Sequence, residues 1–139
     1  MHSYLYVAIG SAGGGLARFV LGGWIQRRFD GWVPRAGAFP FPVGTLLVNV
    51  TGSFILGLLV VVLGRRGEDA DAMRLLMAVG FCGGYTTFST FSYETAALLK
   101  DGEWTRAGFY VAASVLLSIA GMFLGFGLAR EIVALRGRI

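Results

Sequence analysis

Read as a pattern of apolar and polar positions, the chain resolves into four long hydrophobic stretches separated by short polar links. They run from about Leu5 to Trp24, Val43 to Leu63, Leu75 to Leu99 and Ala107 to Ala129. Each is long enough for the roughly 20 apolar residues that a helix needs to cross a bilayer. The links hold too little sequence for a soluble domain. The pattern therefore predicts an all-α membrane protein, one compact unit of four transmembrane helices spanning residues 1–139. The first stretch has no basic leader and no small-residue cleavage site, so it is expected to stay as a helix.

The third stretch departs from a plain span. Within the seven residues Thr86–Ser92 stand five hydroxyls, with Gly83-Gly84 before them and Glu94 shortly after. Hydroxyls, paired glycines and an acid are costly in hydrocarbon unless they face protein or a watery cavity. A break near Gly83–Thr87 is expected, with the Thr86 and Thr87 hydroxyls substituting for lost helical bonds. Such a break frees backbone carbonyls, which are ligands for a hard cation such as Na⁺. Beyond it, Phe88 and Phe91 share a face, and Glu94 follows three residues later.

The other helices carry fewer polar positions. Arg18 lies about 9 Å along the helix from Trp24, where it either snorkels to the interface or sits in an anion-attracting vestibule. Asn49, near Thr45, Thr51 and Ser53, requires a partner in mid-helix. Tyr110, Ser114 and Ser118 recur every four residues and align on one stripe, either a packing face or a ladder that hands on an ion. Gly10-x-x-x-Gly14, Ser53-x-x-x-Gly57 and Gly121-x-x-x-Gly125 are close-packing faces. Pro42 is placed for the first turn of the second helix, after a link that holds Pro34 and Pro40.

Composition sharpens this. The chain of 139 residues is 55% hydrophobic and 14% charged, with 22 glycines, one Cys, one His and a net charge of +4. A lone Cys82 and a terminal His2 leave no disulfide, Cys cluster or zinc site to build. No basic run interleaves with an aromatic platform, so nucleic acid is not an expected partner. Arg65, Arg66, Arg74, Arg130, Arg136 and Arg138 fall on one side of four spans; Arg27, Arg28, Arg35, Lys100 and Arg106 fall on the other. Orientation follows an excess of Lys and Arg on the cytoplasmic side, and here the excess is one residue. Insertion both ways, and pairing with an inverted copy about an axis in the membrane plane, is the expectation.

The run from Gly80-Phe81-Cys82-Gly83-Gly84-Tyr85-Thr86-Thr87 through Phe88-Ser89-Thr90-Phe91-Ser92-Tyr93-Glu94 resembles the signature of the CrcB/Fluc fluoride channels. Gly44-Thr45-Leu46-Leu47-Val48-Asn49, Arg18 and the Tyr110/Ser114/Ser118 series agree with it, so the resemblance covers essentially the whole chain. It implies a dual-topology antiparallel homodimer in the bacterial plasma (inner) membrane, exporting fluoride passively and so lowering its toxicity. Phe88 and Phe91 are implied to line the pores through electropositive ring edges. Asn49, Tyr110, Ser114 and Ser118, with Thr45, Ser89 and Thr90, complete the implied pore, and Arg18 its vestibule. A structural Na⁺ at the dimer axis falls on the carbonyls of Gly83 and Thr86, and no organic cofactor is implied. The sequence departs from some relatives at Met122, a place that can hold a further hydroxyl. Glu94 remains open between a proton-linked, a vestibular and a purely hydrogen-bonding role.

Two other readings compete. A small four-helix proton-coupled multidrug antiporter also inserts both ways and would use Glu94 as its titrating acid. A structural membrane subunit would explain the glycines but not the third-helix motif. None of the three is an enzyme.

Overall fold

The computed structural model describes residues 2–31, 39–64 and 68–136. Pro34, Arg35, Arg65, Arg66 and Arg138, weighed above for loop structure and orientation, lie outside the described residues, as does the side chain of Arg136.

The chain is helical, with no strand among the described residues. Helix α1 runs His2–Phe29 and α2 runs Val43–Val62. Helix α3 (Glu68–Met73) continues into a π-helical stretch, Arg74–Cys82, and then a single turn, α4 (Gly83–Tyr85). Helix α5 follows at Phe88–Lys100, and α6 closes the unit at Trp104–Arg136. Ser3–Phe29, Val43–Val62 and Trp104–Leu135 are each long and apolar enough to cross a membrane unaided. The third apolar stretch is made in pieces. Helix α5 has 13 residues, about 20 Å of rise, against a hydrocarbon core of about 30 Å.

The outer helices outrun the apolar stretches that predicted them. Helix α1 starts three residues before Leu5 and passes Trp24 to include Gln26, Arg27 and Arg28; α6 begins at Trp104 and continues past Ala129. Hydropathy marks the part that can sit in lipid, whereas backbone hydrogen bonding carries a helix on into the interface. The Arg27 and Arg28 charges in the last turn of α1 also suit its C-terminal dipole.

Glycine faces hold the unit together at close range. A methyl group at Gly10 would strike the Leu76 carbonyl, and one at Gly14 the Phe81 carbonyl. Gly80 and Gly84 meet α1 from the other side, against Gly10 and Ser11. Between α2 and α6, Gly57 abuts the Met122 carbonyl and Gly125 the Phe54 carbonyl. All three small-residue faces expected from the sequence are thus contacts. In lipid, such backbone approach supplies the packing that water-driven burial cannot. Leu46, Phe91, Leu98, Ala107 and Tyr110 form a buried cluster between α2, α5 and α6. Leu16, Phe19, Leu116 and Phe123 point outward and are mostly exposed, as lipid-facing side chains must be. The chain is a multi-pass membrane protein.

Candidate functional site

The site is built around two extended residues. Thr86 (φ −79°, ψ 159°) and Thr87 (φ −152°, ψ 120°) separate α4 from α5. Thr86 ends α4 by giving both its N–H and its Oγ1 to the Cys82 carbonyl, each at 2.9 Å. The next N–H, that of Thr87, would reach the Gly83 carbonyl in a continuous helix. It goes instead to Asn49 Oδ1 at 2.8 Å, and Asn49 Nδ2 returns a bond to the Thr87 carbonyl at 3.1 Å. Thr87 Oγ1 then caps α5 by accepting the Thr90 N–H at 3.2 Å and donates to Thr90 Oγ1 at 3.0 Å. The interruption is therefore shorter than the sequence suggested. Gly83-Gly84-Tyr85 stays helical, because Gly84 is spent on close contact with Ser11 and the polar competition acts only at Thr86 and Thr87.

One consequence bears on cation binding. The N–H groups that a continuous helix would aim at Gly83 O and Thr86 O belong to Thr87 and Thr90, and both are diverted to side chains. These are the two carbonyls the sequence reading named. Among the described residues no group of three His, Cys, Asp or Glu is placed to hold a metal, so any hard cation here would rest on backbone oxygen.

Two hollows flank the break, and Thr87 lines both. The first, about 320 Å³, is lined by Asn49, Ser53, Phe88, Phe91, Ser114 and Ser118 together with apolar neighbours. The second, about 430 Å³, gathers Arg18, Gln26, Thr45, Thr90 and Glu94 beside the glycines of α1. The residues expected to form one path are thus divided between two chambers. Ser89 belongs to neither lining; its Oγ lies 3.2 Å from Thr87 Oγ1.

Tyr110 joins the chambers without opening into either. It is fully buried, and its hydroxyl donates to Glu94 Oε2 at 2.7 Å, while Thr45 Oγ1 donates to Glu94 Oε1 at 2.8 Å. Glu94 is thereby hydrogen-bonded through both oxygens while it lines the Arg18 hollow. Of the three hydroxyls in that series, Tyr110 is turned to the carboxylate, and Ser114 and Ser118 line the first hollow. Ser114 Oγ is buried near Tyr110 yet meets no group in hydrogen-bonding geometry. A buried hydroxyl without a partner is an exception that calls for a ligand or a water.

The two phenylalanines stand with centroids 5.4 Å apart and planes tilted 44°. Phe91 is buried and its ring lies 5.2 Å from that of Tyr110. Phe88 is 78% exposed. Two further contacts escaped the sequence reading. Tyr85 OH lies 3.1 Å from Thr51 Oγ1 just before the break, and Gln26 ties the end of α1 to the start of α2 by accepting the Gly44 N–H at 3.0 Å. Neither residue sits in a pattern that periodicity would single out.

The sequence model of the family described as "CrcB-like protein, Camphor Resistance (CrcB)" matches residues 5–126. A "Fluoride-specific ion channel FluC" of Roseiflexus sp. is 45% identical over 124 residues, 89% of this chain and 94% of that protein. Proteins of the same name from Pyrococcus abyssi and Thermococcus gammatolerans are 45% and 46% identical, each over 91% of this chain and 95% of their own length.

Proposed function

Because this chain belongs to the CrcB-like protein family, we propose that it is a fluoride-selective passive channel through which the ion leaves the cytoplasm. One arrangement carries the reading: the Ser114 and Ser118 hydroxyls line the same hollow as the Phe88 and Phe91 rings. Fluoride is small and strongly hydrated, so a path must replace its water with donors. Ser114, Ser118 and the second N–H of Asn49 Nδ2 supply hydrogen-bond donors, and the rings supply partly positive edges. Arg18, in the second hollow, draws anions toward the entrance. Neutral HF that enters from acid surroundings dissociates at cytoplasmic pH, and a selective outward leak relieves that load.

The working unit in this reading is an antiparallel homodimer in the plasma (inner) membrane of a bacterium. A polar hydroxyl is costly against lipid, yet Gly83, Phe88 and Ser89 beside the break are all exposed on the single chain. An inverted second copy would cover them and complete the wall of the first hollow. The near-equal distribution of basic residues supports insertion both ways. A Na⁺ on the dimer axis would take the carbonyls of Gly83 and Thr86 from both subunits.

The antiporter reading is weaker. Its acid must stand free in a large shared cavity to exchange a proton for a cation, and Glu94 has both oxygens engaged. Fluoride efflux from liposomes holding the purified protein decides between them. Rapid efflux without a proton gradient is expected. Transport of large cations coupled to protons, with no fluoride efflux, would overturn the channel.

A further inference from the structure

The short segment Phe39–Pro42 leads into α2 across the end of the molecule where α1 finishes and α5 turns into α6. Pro40 and Pro42 restrict its φ angles and hold the residues before them extended. It is pinned at both ends. The Phe39 N–H donates to Asp101 Oδ2 at 2.9 Å, and the Phe41 carbonyl accepts from Gln26 Nε2 at 3.0 Å. Gln26 is itself held, donating to Asp30 Oδ1 at 2.7 Å as well as accepting from Gly44.

The clasp packs two rings against the buried cluster, Phe39 and Phe41, and Phe41 is the one that meets Tyr110. Phe41 meets Tyr110 edge-to-face, with centroids 5.7 Å apart and planes at 79°, an arrangement favoured by the ring quadrupoles. The Arg106 guanidinium carbon stands 5.8 Å from the Phe41 centroid, a cation over an aromatic face. Tyr110 is thus held by Phe41 as well as by Phe91, and its hydroxyl falls on Glu94.

We propose that Phe41 is a positioning residue of the ion path, acting through Tyr110. By fixing the Tyr110 ring it keeps one hydroxyl on Glu94 Oε2, so that Thr45 and Tyr110 together shield the carboxylate. A carboxylate missing one of these donors would present more of its negative charge to the Arg18 hollow and oppose an entering anion. An aliphatic side chain of similar volume offers Tyr110 no aromatic partner, and so loosens the side chain about its Cα–Cβ bond, the motion that carries the hydroxyl off Glu94. This role rests on the channel reading above, whereas the contact it describes does not.

The test therefore has two arms. In the first, the carboxyl infrared band of Glu94 is identified as the band lost in Glu94→Gln. Tyr110→Phe should shift that band, Phe41→Leu should reproduce the shift, and Phe41→Tyr should restore the original position. Asp101→Ala, which releases the Phe39 N–H without touching a ring or the Glu94 hollow, should shift it in the same direction and stands in should Phe41→Leu fail to fold. In the second arm, fluoride efflux should fall about tenfold in Phe41→Leu, the size of a lost charge-assisted hydrogen bond, and no further in Phe41→Leu combined with Tyr110→Phe. An unchanged Glu94 band in Phe41→Leu, or fully additive losses of flux, would overturn the proposal. Wild-type protein that passes no fluoride would overturn the channel reading instead, and the infrared arm would still decide the role of Phe41.

Discussion

The Asn49 amide and the Thr87 peptide are paired through two hydrogen bonds, of 2.8 and 3.1 Å, that run in opposite directions. The pairing imitates a strand contact between a side chain on α2 and the backbone of the break. It answers a question that any mid-membrane interruption raises: where the displaced N–H and C=O find partners.

Asn49→Ala should accordingly do two kinds of damage. It strands both backbone groups of Thr87, at about 1–3 kcal/mol for each unsatisfied group, and it removes a donor from the first hollow. The expected outcome is a lower melting temperature in detergent together with loss of fluoride efflux. Wild-type stability and flux in this variant would mean that the break holds itself.

Phe88 and Phe91 separate packing from permeation, because one is exposed on the single chain and the other buried. Phe91→Ala should cost about 3–5 kcal/mol through the cavity it leaves, whereas Phe88→Ala should cost the subunit fold little. Phe88→Ile and Phe91→Ile preserve bulk but remove the ring edges, so each should yield folded protein with strongly reduced efflux. Phe→Met at either position should retain part of the flux, Met being polarizable and adaptable. Normal efflux in both Ile variants would place the path elsewhere.

Orientation is read from the termini. Three added Lys at either end should bias insertion and lower activity, and co-expression of oppositely biased versions should restore it. A single fixed orientation that keeps full activity would remove the antiparallel dimer.

The diverted N–H groups of Thr87 and Thr90 predict a response to the cation supplied. Exchange of Na⁺ for a large organic cation should lower the melting temperature of the assembled protein, since the Gly83 and Thr86 carbonyls would lose their ligand. Returning Na⁺ should restore it. Equal melting temperatures in both salts would argue against a bound ion.

Much of this was legible in the residues themselves. Four apolar stretches, their glycine faces and a polar interruption near Gly83–Thr87 follow from local chemistry: hydrocarbon demands apolar length, close helix contact demands small side chains, and a hydroxyl cluster must be shielded from lipid. The contacts at Gly10, Gly14, Gly57 and Gly125 follow that pattern directly.

Other features depend on partners far apart in the chain, and only the tertiary structure decided them. The interruption falls at Thr86 and Thr87 rather than across the glycines because Asn49, 38 positions away, takes the Thr87 N–H. Tyr110 leaves its hydroxyl series because Glu94, 16 positions earlier, offers a stronger acceptor than a neighbouring serine. Helical spacing places a hydroxyl on a face, but the charge and geometry of the opposing helix determine what that hydroxyl binds.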